Sequence, residues 1–168
     1  MTTAEQEFDE YAAARWPRLV RSAVLLGAHA QEAEDVAQTT LTKVWRAWGR
    51  VQKADDTDAY VYRILLNAFN DSRRRMWRGE HPTEFIPDRS EPDATDAVVL
   101  RDAVWRSLER LKPDHRAVVV LRFYAHLSEA QMAVVLGVAP GTVKSRVARA
   151  LLALRNDPAL VAVNEEVQ

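Results

Sequence analysis

The sequence of 168 residues contains no cysteine and only five glycines. A chain without cysteine cannot form disulfides, thiolate metal sites or cysteine nucleophiles, and this fits a reducing compartment. The chain also lacks an apolar run of the about 18–20 residues that a membrane span needs, because Arg21 interrupts its most apolar early stretch, residues 19–28. Its acidic amino terminus is unlike a secretory signal. We therefore predict a cytoplasmic protein that does not associate with a membrane.

Motifs for catalysis and for metal binding are missing as well. Neither metal-ligand spacing nor a matched acid accompanies the four histidines, His29, His81, His115 and His126. The sequence also has no phosphate-binding glycine loop and no nucleophile beside a base. We therefore predict that the chain is not an enzyme and that it uses no cofactor and no metal.

Charge is unevenly distributed, although the net charge is only −1. Residues 63–78 hold five arginines against one aspartate, and residues 140–155 hold four cations and no acid. Between them, residues 80–96 hold six acids against one arginine. Two basic patches separated by an acidic stretch suit a protein that touches a polyanion at two places. The alternative is a set of solvated helix faces joined by a solvated loop.

Apolar residues recur at three- and four-residue steps, which is typical of helices. Scarce glycine, beside plentiful alanine, leucine, arginine and glutamate, also favours helix. The pattern predicts helices over residues 5–28, 31–48, 59–77, 98–111, 113–125, 129–136 and 140–154. Pro17 is expected to kink or divide the first helix, and Pro158 is expected to break the weakly patterned tail.

The sequence thus predicts an all-α fold with two small helical domains. The first covers residues 1–78 and the second covers residues 98–156, with a tail over 157–168. Residues 79–97 contain three prolines, many acids and few large apolar groups, which is the composition of a flexible linker.

The stretch SEAQMAVVLGVAPGTVKSRVARALLALR, residues 128–155, has the layout of a helix-turn-helix. Ser128 and Gln131 have the spacing of a capping box, and Ala133 is small enough for a close helix crossing. Gly137 stands where the turn needs a positive φ. Val143 is placed to fill the angle between the two helices.

The second of these helices has a polar and cationic outer side that could enter a DNA major groove. Cations there would bind phosphates while neighbouring side chains read base edges. The candidates are Thr142, Lys144, Ser145, Arg146 and Arg149. An ordinary helical hairpin with a charged outer face is the alternative.

Three segments, in order, resemble the extracytoplasmic-function sigma factors of bacterial RNA polymerase. The stretch AEDVAQTTLTKVWRAW (33–48) resembles the region that docks on the polymerase, and AYVYRILLNAFNDSRRR (59–75) resembles the region that recognises and opens the minus-ten element. The stretch VVVLRFYAHLSEAQMAVVLGVAPGTVKSRVARAL (118–151) resembles the region that binds the minus-thirty-five element. The opening WPRLVRSAVLLGA is similar to sets common in actinobacteria.

This resemblance implies a transcription initiation factor whose partners are core RNA polymerase, promoter DNA and, for the free chain, an anti-sigma protein. It implies polymerase docking by Asp35 and Gln38. It also implies that four residues lie near the non-template strand of the melted minus-ten element: Asn67, Asp71, Arg73 and Arg74. The five candidates on the last helix would contact the minus-thirty-five duplex.

Two rival functions stay open from the residues alone. A helix-turn-helix regulator could bind DNA without polymerase, but the alternating strands and helices of a receiver domain are absent from the first half. A helical adaptor would never touch DNA, and Arg73–Arg75 would then be a solvated helix end. Four tryptophans, Trp16, Trp45, Trp48 and Trp105, are assigned to the core. Trp77, beside the arginines, is the one that could stack on a base.

Overall fold

The computed structural model describes residues 2–79 and 96–166, and within them every regular element is a helix. The all-α prediction is therefore confirmed. The amino-terminal half contains α1 (Thr3–Leu26), α2 (Ala30–Arg46), α3 (Trp48–Val51) and α4 (Thr57–Trp77). The carboxy-terminal half contains α5 (Asp96–Arg110), α6 (Pro113–Val119), a π-helical turn (Val120–Tyr124), α7 (Glu129–Leu136), α8 (Pro140–Arg155) and α9 (Pro158–Glu166). Most of the predicted linker lies outside the described residues.

The amino-terminal half is built around the mutual packing of α1, α2 and α4. Helix α1 begins at a capping box formed by Thr2 and Glu5 and ends at Gly27, whose φ is 120°. Pro17 lies inside α1 and does not divide it, so of the two expected outcomes, a kink or a division, the division is wrong. Both Pro17 and Ala13, whose carbonyl loses its helical hydrogen bond, are exposed, so water can replace the missing donor.

In the carboxy-terminal half, the prediction that Pro158 breaks the tail is wrong, because residues Pro158–Glu166 form α9. Pro158 begins this helix, and the carboxylate of Asp157 accepts a hydrogen bond from the backbone N–H of Ala159 at 2.9 Å. Arg110 on α5 pairs with the same carboxylate at 3.0 Å. Burial opposes ionisation of Asp157, but hydrogen bonds from Ser107, Ala159 and Arg110, with the charge of Arg110, hold its pKa below the ordinary value.

The two halves pack against each other along a seam in which α4 faces α7 and α1 faces α6 and the π-helical turn. Two arginines cross this seam in opposite directions. Arg18 on α1 donates to the carbonyls of Tyr124 and Ala125 at 3.3 and 3.0 Å, while Arg116 on α6 donates from Nε to the carbonyl of Leu25 at 2.6 Å. Each half therefore supplies a guanidinium to unpaired carbonyls at a helix end of the other.

Candidate nucleic-acid interfaces

Helices α7 and α8 form the predicted helix-turn-helix. Both hydrogen bonds of the capping box are present, with Ser128 N–H donating to Gln131 at 2.7 Å and Gln131 N–H donating to the Ser128 hydroxyl at 3.2 Å. Gly137 ends α7 in the left-handed region, with φ at 65°, where a side chain would add strain. Val143 is fully buried between the helices. These local expectations are confirmed.

The outer side of α8 presents its predicted residues unequally. Lys144 and Arg149 are exposed, whereas Thr142, Ser145 and Arg146 are half-buried. Arg146 pairs with Asp114 of α6 at 3.4 Å. The Ser145 hydroxyl donates to the carbonyl of Thr142 at 3.1 Å. Lys144 and Arg149 are therefore the two cations of the predicted set that α8 presents most openly to a ligand.

The second basic surface lies along α4. Asn67 is exposed towards the seam and lines a cavity of about 820 Å³ between α4 and α7. Ser128, Gln131 and Val134 line the α7 side of that cavity. Asn67 therefore faces the first helix of the helix-turn-helix.

One turn further along α4, Asp71 accepts from Arg74 at 3.0 Å, and both side chains are at least half exposed. Arg75 and Arg78 are exposed as well. The end of α4 and the residue that follows it thus carry three exposed guanidinium groups and one exposed carboxylate, a net cationic surface that suits a polyanion.

Arg73 is placed differently from its neighbours. Its guanidinium donates to the carbonyl of Gly27 at the end of α1 and pairs with Glu32 of α2 at 3.4 Å. Glu32 is buried, and its other carboxylate oxygen accepts from Ser72 at 2.9 Å. Glu32 and Ser72 were not predicted as part of a site, and Arg73 was predicted as a DNA contact or a solvated helix end, not as a buried contact between helices. The structure shows that Arg73 joins α4 to α1 and α2.

The predicted docking residues lie on the exposed side of α2. Asp35 accepts from the Gln31 amide at 3.2 Å, and Gln38 is exposed one turn later. The same helix exposes 40% of Trp45, and α1 exposes 36% of Trp16. The core assignment is therefore wrong for these two tryptophans, because the apolar surface of each helix is wider than the face it buries. Trp48 and Trp105 are half-buried.

Among the described helices, none has the length and apolar content to cross a membrane. Within residues 2–79 and 96–166, no three histidine or acidic side chains cluster as a metal site would require.

A helix-turn-helix in one half and an arginine-rich helix end in the other are features of DNA-binding proteins. Comparison with known families gives the class of this chain. Sigma-70 region 2 matches residues 13–79, and sigma-70 region 4 matches residues 101–154. The chain belongs to the extracytoplasmic-function sigma factors of the sigma-70 family. It is an RNA polymerase sigma factor, and that family consists of initiation factors rather than enzymes.

The relatives cover most of the chain. The RNA polymerase sigma-E factor of Streptomyces avermitilis is 37% identical over 155 residues, which are 90% of this chain and 84% of that protein. The sigma factor SigL of Mycobacterium tuberculosis is 37% identical over 156 residues, which are 88% of this chain and 84% of that protein.

Solved structures agree on the fold. The sigma factor RpoE from Bartonella quintana, in complex with the anti-sigma factor NepR, has a TM-score of 0.73 at 27% identity. That match covers 89% of this chain and 95% of RpoE. CnrH, in complex with the cytosolic domain of CnrY, has a TM-score of 0.64 at 24% identity and covers 90% of this chain and 86% of CnrH. At that identity CnrH supports the fold alone.

Proposed function

We propose that this sigma factor works in the cytoplasm, binds core RNA polymerase through α2, and holds a promoter at two elements. Its domains are residues 1–78 and 98–156. The polymerase supplies the catalysis, and the sigma factor itself uses no cofactor. The observation that carries this proposal is the presence, on one chain, of two separate cationic helix surfaces at α8 and at the end of α4.

The family resemblance implies the residue assignments, and the exposed positions of several of these side chains support them. On α8, Lys144 and Arg149 bind the minus-thirty-five duplex, with Thr142, Ser145 and Arg146 beside them at the groove. On α4, Asn67, Asp71 and Arg74 meet the minus-ten strand, and Arg73 supports this surface from within. On α2, Asp35 and Gln38 dock on the polymerase. An anti-sigma protein is a further proposed partner, since the similar RpoE is bound to the anti-sigma factor NepR.

The central test is run-off transcription on genomic fragments with mapping of the start sites. We expect core polymerase alone to start at none of the sites that appear when the chain is added. Co-purification with core polymerase provides the second readout. Tight DNA binding without capture of polymerase would instead support a helix-turn-helix regulator that acts alone.

Simultaneous contact with both elements requires the two halves to separate. Elements named minus-ten and minus-thirty-five lie about 25 base pairs apart, or about 85 Å at 3.4 Å per pair. A compact chain of 168 residues has a radius of gyration of about 15 Å, and thus a diameter of about 40 Å. The described arrangement, in which α7 covers the Asn67 side of α4, is therefore a closed form that opens on the promoter.

Arg18→Ala combined with Arg116→Ala is expected to shift the chain towards the open form. Each change removes a charged hydrogen bond across the seam. Losing one such bond costs about 2 kcal/mol, or roughly a 30-fold change in the ratio of open to closed chains. Small-angle X-ray scattering should record a larger radius of gyration for the variant.

A matched control is Arg106→Ala, since Arg106 lies on α5 and pairs with Asp102 of the same helix at 2.6 Å. We expect this control to scatter like the parent chain. An unchanged radius of gyration in the Arg18 and Arg116 variant would show that these two arginines do not hold the seam closed.

A further inference from the structure

Three arginines of the amino-terminal half point across the seam at the carboxy-terminal half. Arg18 on α1 donates to two carbonyls at the end of the π-helical turn, at 3.3 and 3.0 Å. Arg21, one turn later on α1, lies over the Trp105 ring of α5 at 5.1 Å. Arg63 on α4 lines the cavity between α4 and α7. Because the same neighbouring half lies against all three, they belong to one face of the amino-terminal half, here called the seam face.

The arginines of the seam face differ from their neighbours in what they bind. In the part of the chain that the structure describes, none of the three pairs with a carboxylate. Arg18 binds neutral carbonyls, and Arg21 lies over an aromatic ring. An arginine forms its strongest hydrogen bonds with carboxylate or phosphate oxygens, as Arg15 does with Asp58 of α4 at 2.8 Å. The seam arginines therefore keep their capacity for an anionic partner.

Acidic side chains close to the seam face leave it cationic. Asp56 lines the same cavity as Arg63, but its carboxylate caps α4 by accepting from the Ala59 N–H at 2.9 Å. When the halves are together, Arg116 of α6 adds a further guanidinium by donating to the Leu25 carbonyl of α1. Like charges gathered in this way repel each other, and a polyanion is the partner that suits the exposed seam face.

The position of the seam face indicates which part of a promoter it meets. Arg63 and Asn67 are four residues apart on α4 and line the same cavity, so the seam face adjoins the proposed minus-ten surface. Copying of the template begins downstream of the minus-ten element, so the strands are already separated on that side. Double-stranded DNA next to the element therefore lies upstream, in the spacer that leads to the minus-thirty-five element.

We propose that the seam face binds backbone phosphates of this spacer duplex once the two halves have separated, with Arg18 and Arg21 as the main contacts. The same guanidinium groups then act twice. They hold the closed form through carbonyls and a ring, and on the promoter they exchange these partners for phosphate oxygens, which bind more strongly because both groups are charged. Phosphate contacts fix the position of DNA without reading its sequence. This inference rests on the proposed function.

The test uses Arg18→Ala combined with Arg21→Ala in the full chain, assembled with core polymerase. The probe is a labelled promoter fragment that the parent holoenzyme transcribes, and fluorescence anisotropy measures its affinity between about 50 and 200 mM salt. Each lost phosphate contact lowers the slope of log affinity against log salt concentration by about 0.9. We expect the slope to fall by about two units, so the parent's advantage over the variant should shrink about 10-fold across this salt range.

A second probe locates the contact on the DNA. In this fragment, uncharged methylphosphonates replace the spacer phosphates beside the minus-ten element. We expect the parent holoenzyme to bind it more weakly than the unmodified fragment, and the double alanine variant to bind both fragments alike. Arg18→Lys combined with Arg21→Lys should keep the parent salt slope, because both positive charges remain although the guanidinium forks are lost.

Arg50→Ala is the matched control. Arg50 is an exposed arginine of the same half, on α3, and α3 packs on α2 and α4 within that half. Its removal takes away one positive charge without touching the seam face. We therefore expect this variant to keep the parent salt slope and the parent response to methylphosphonates.

An unchanged salt slope in the double alanine variant would overturn the inference and leave the proposed function intact. So would an equal loss of affinity for the unmodified and the methylphosphonate fragments, because the contact would then lie away from the spacer phosphates. Weaker capture of core polymerase by the variant, with parent-like DNA binding of the assembled holoenzyme, would make the seam face a polymerase contact instead. If the parent chain directs no initiation on any fragment, the proposed function itself fails, and this inference with it.

Discussion

Arg73→Ala is expected to lower the free energy of unfolding by about 2–4 kcal/mol, whereas Arg74→Ala should leave it within about 0.5 kcal/mol. The two arginines are neighbours in sequence but differ in surroundings. Arg73 pairs with the buried Glu32 and donates to the Gly27 carbonyl. Arg74 is 68% exposed, and among the described residues its ion pair is with the exposed Asp71, an interaction that contributes little to stability.

The expected loss of stability in Arg73→Ala comes mainly from the buried Glu32 carboxylate, which would be left without its charged partner. Glu32 is only 4% exposed, so among the described residues its carboxylate would keep Ser72 as its side-chain partner, in a place that water hardly reaches. Removing one member of a buried ion pair costs about 3–5 kcal/mol. We expect somewhat less here, because the Arg73 side chain is 36% exposed and water screens part of the interaction.

Urea denaturation followed by circular dichroism measures the stability of both variants. Holoenzyme binding to the minus-ten strand at several salt concentrations measures function, and Arg74→Ala should reduce the salt slope by about one unit. Adding Glu32→Gln to Arg73→Ala should recover part of the lost stability, because no buried charge then remains unpaired. Equal stability of the Arg73 and Arg74 variants would refute the supporting role of Arg73.

The different surroundings of Arg73 and Arg74 could be predicted from the sequence only in part. A run of three arginines is a single feature in the sequence, but successive helical residues turn by about 100°. Arg73 follows the buried Phe69 by four residues, so it shares the inward face of α4. That spacing was a usable signal. Its partner Glu32 stands 41 positions earlier in the sequence, and only the packing of α2 on α4 reveals the pair.

The helix-turn-helix was predictable because its determinants are local. The motif consists of a helix cap at Ser128, a turn at Gly137 and a buried side chain between the two helices at Val143. All three lie within sixteen residues. Helix α9 was missed for the opposite reason. Asp157 and Pro158 have the residue types of a helix cap and of a first helical position, but the apolar pattern that follows them is short. The cap residue Asp157 is held by Ser107 and Arg110, which lie about fifty residues away on α5, and a short helix depends on such tertiary contacts.

Lys144→Ala combined with Arg149→Ala is expected to weaken binding to the minus-thirty-five duplex by about 3 kcal/mol, or roughly 150-fold. Both side chains are exposed on α8, so their removal leaves the fold intact. The other cation of that face, Arg146, is 24% exposed and pairs with Asp114 at 3.4 Å. Arg146 therefore cannot take over the DNA contacts of Lys144 and Arg149 without losing its ion pair with Asp114.

The salt dependence of binding separates the roles of the two cations. A residue that only neutralises a phosphate should weaken binding to every sequence alike and lower the salt slope by about one unit, whereas a residue on a base edge should relax preference at one position. Fluorescence anisotropy of the holoenzyme on duplex fragments, with single-base changes and at several salt concentrations, distinguishes these results for Lys144 and Arg149 individually.

Arg155→Ala provides the control, because Arg155 is exposed on the same helix but lies at its carboxy-terminal end. Only the amino-terminal end of a recognition helix normally reaches the bases, so this variant should bind and transcribe like the parent chain. If the Lys144 and Arg149 double variant also transcribed like the parent chain from the same promoters, α8 would not be a DNA contact. That result would support the alternative of a helical adaptor that does not touch DNA.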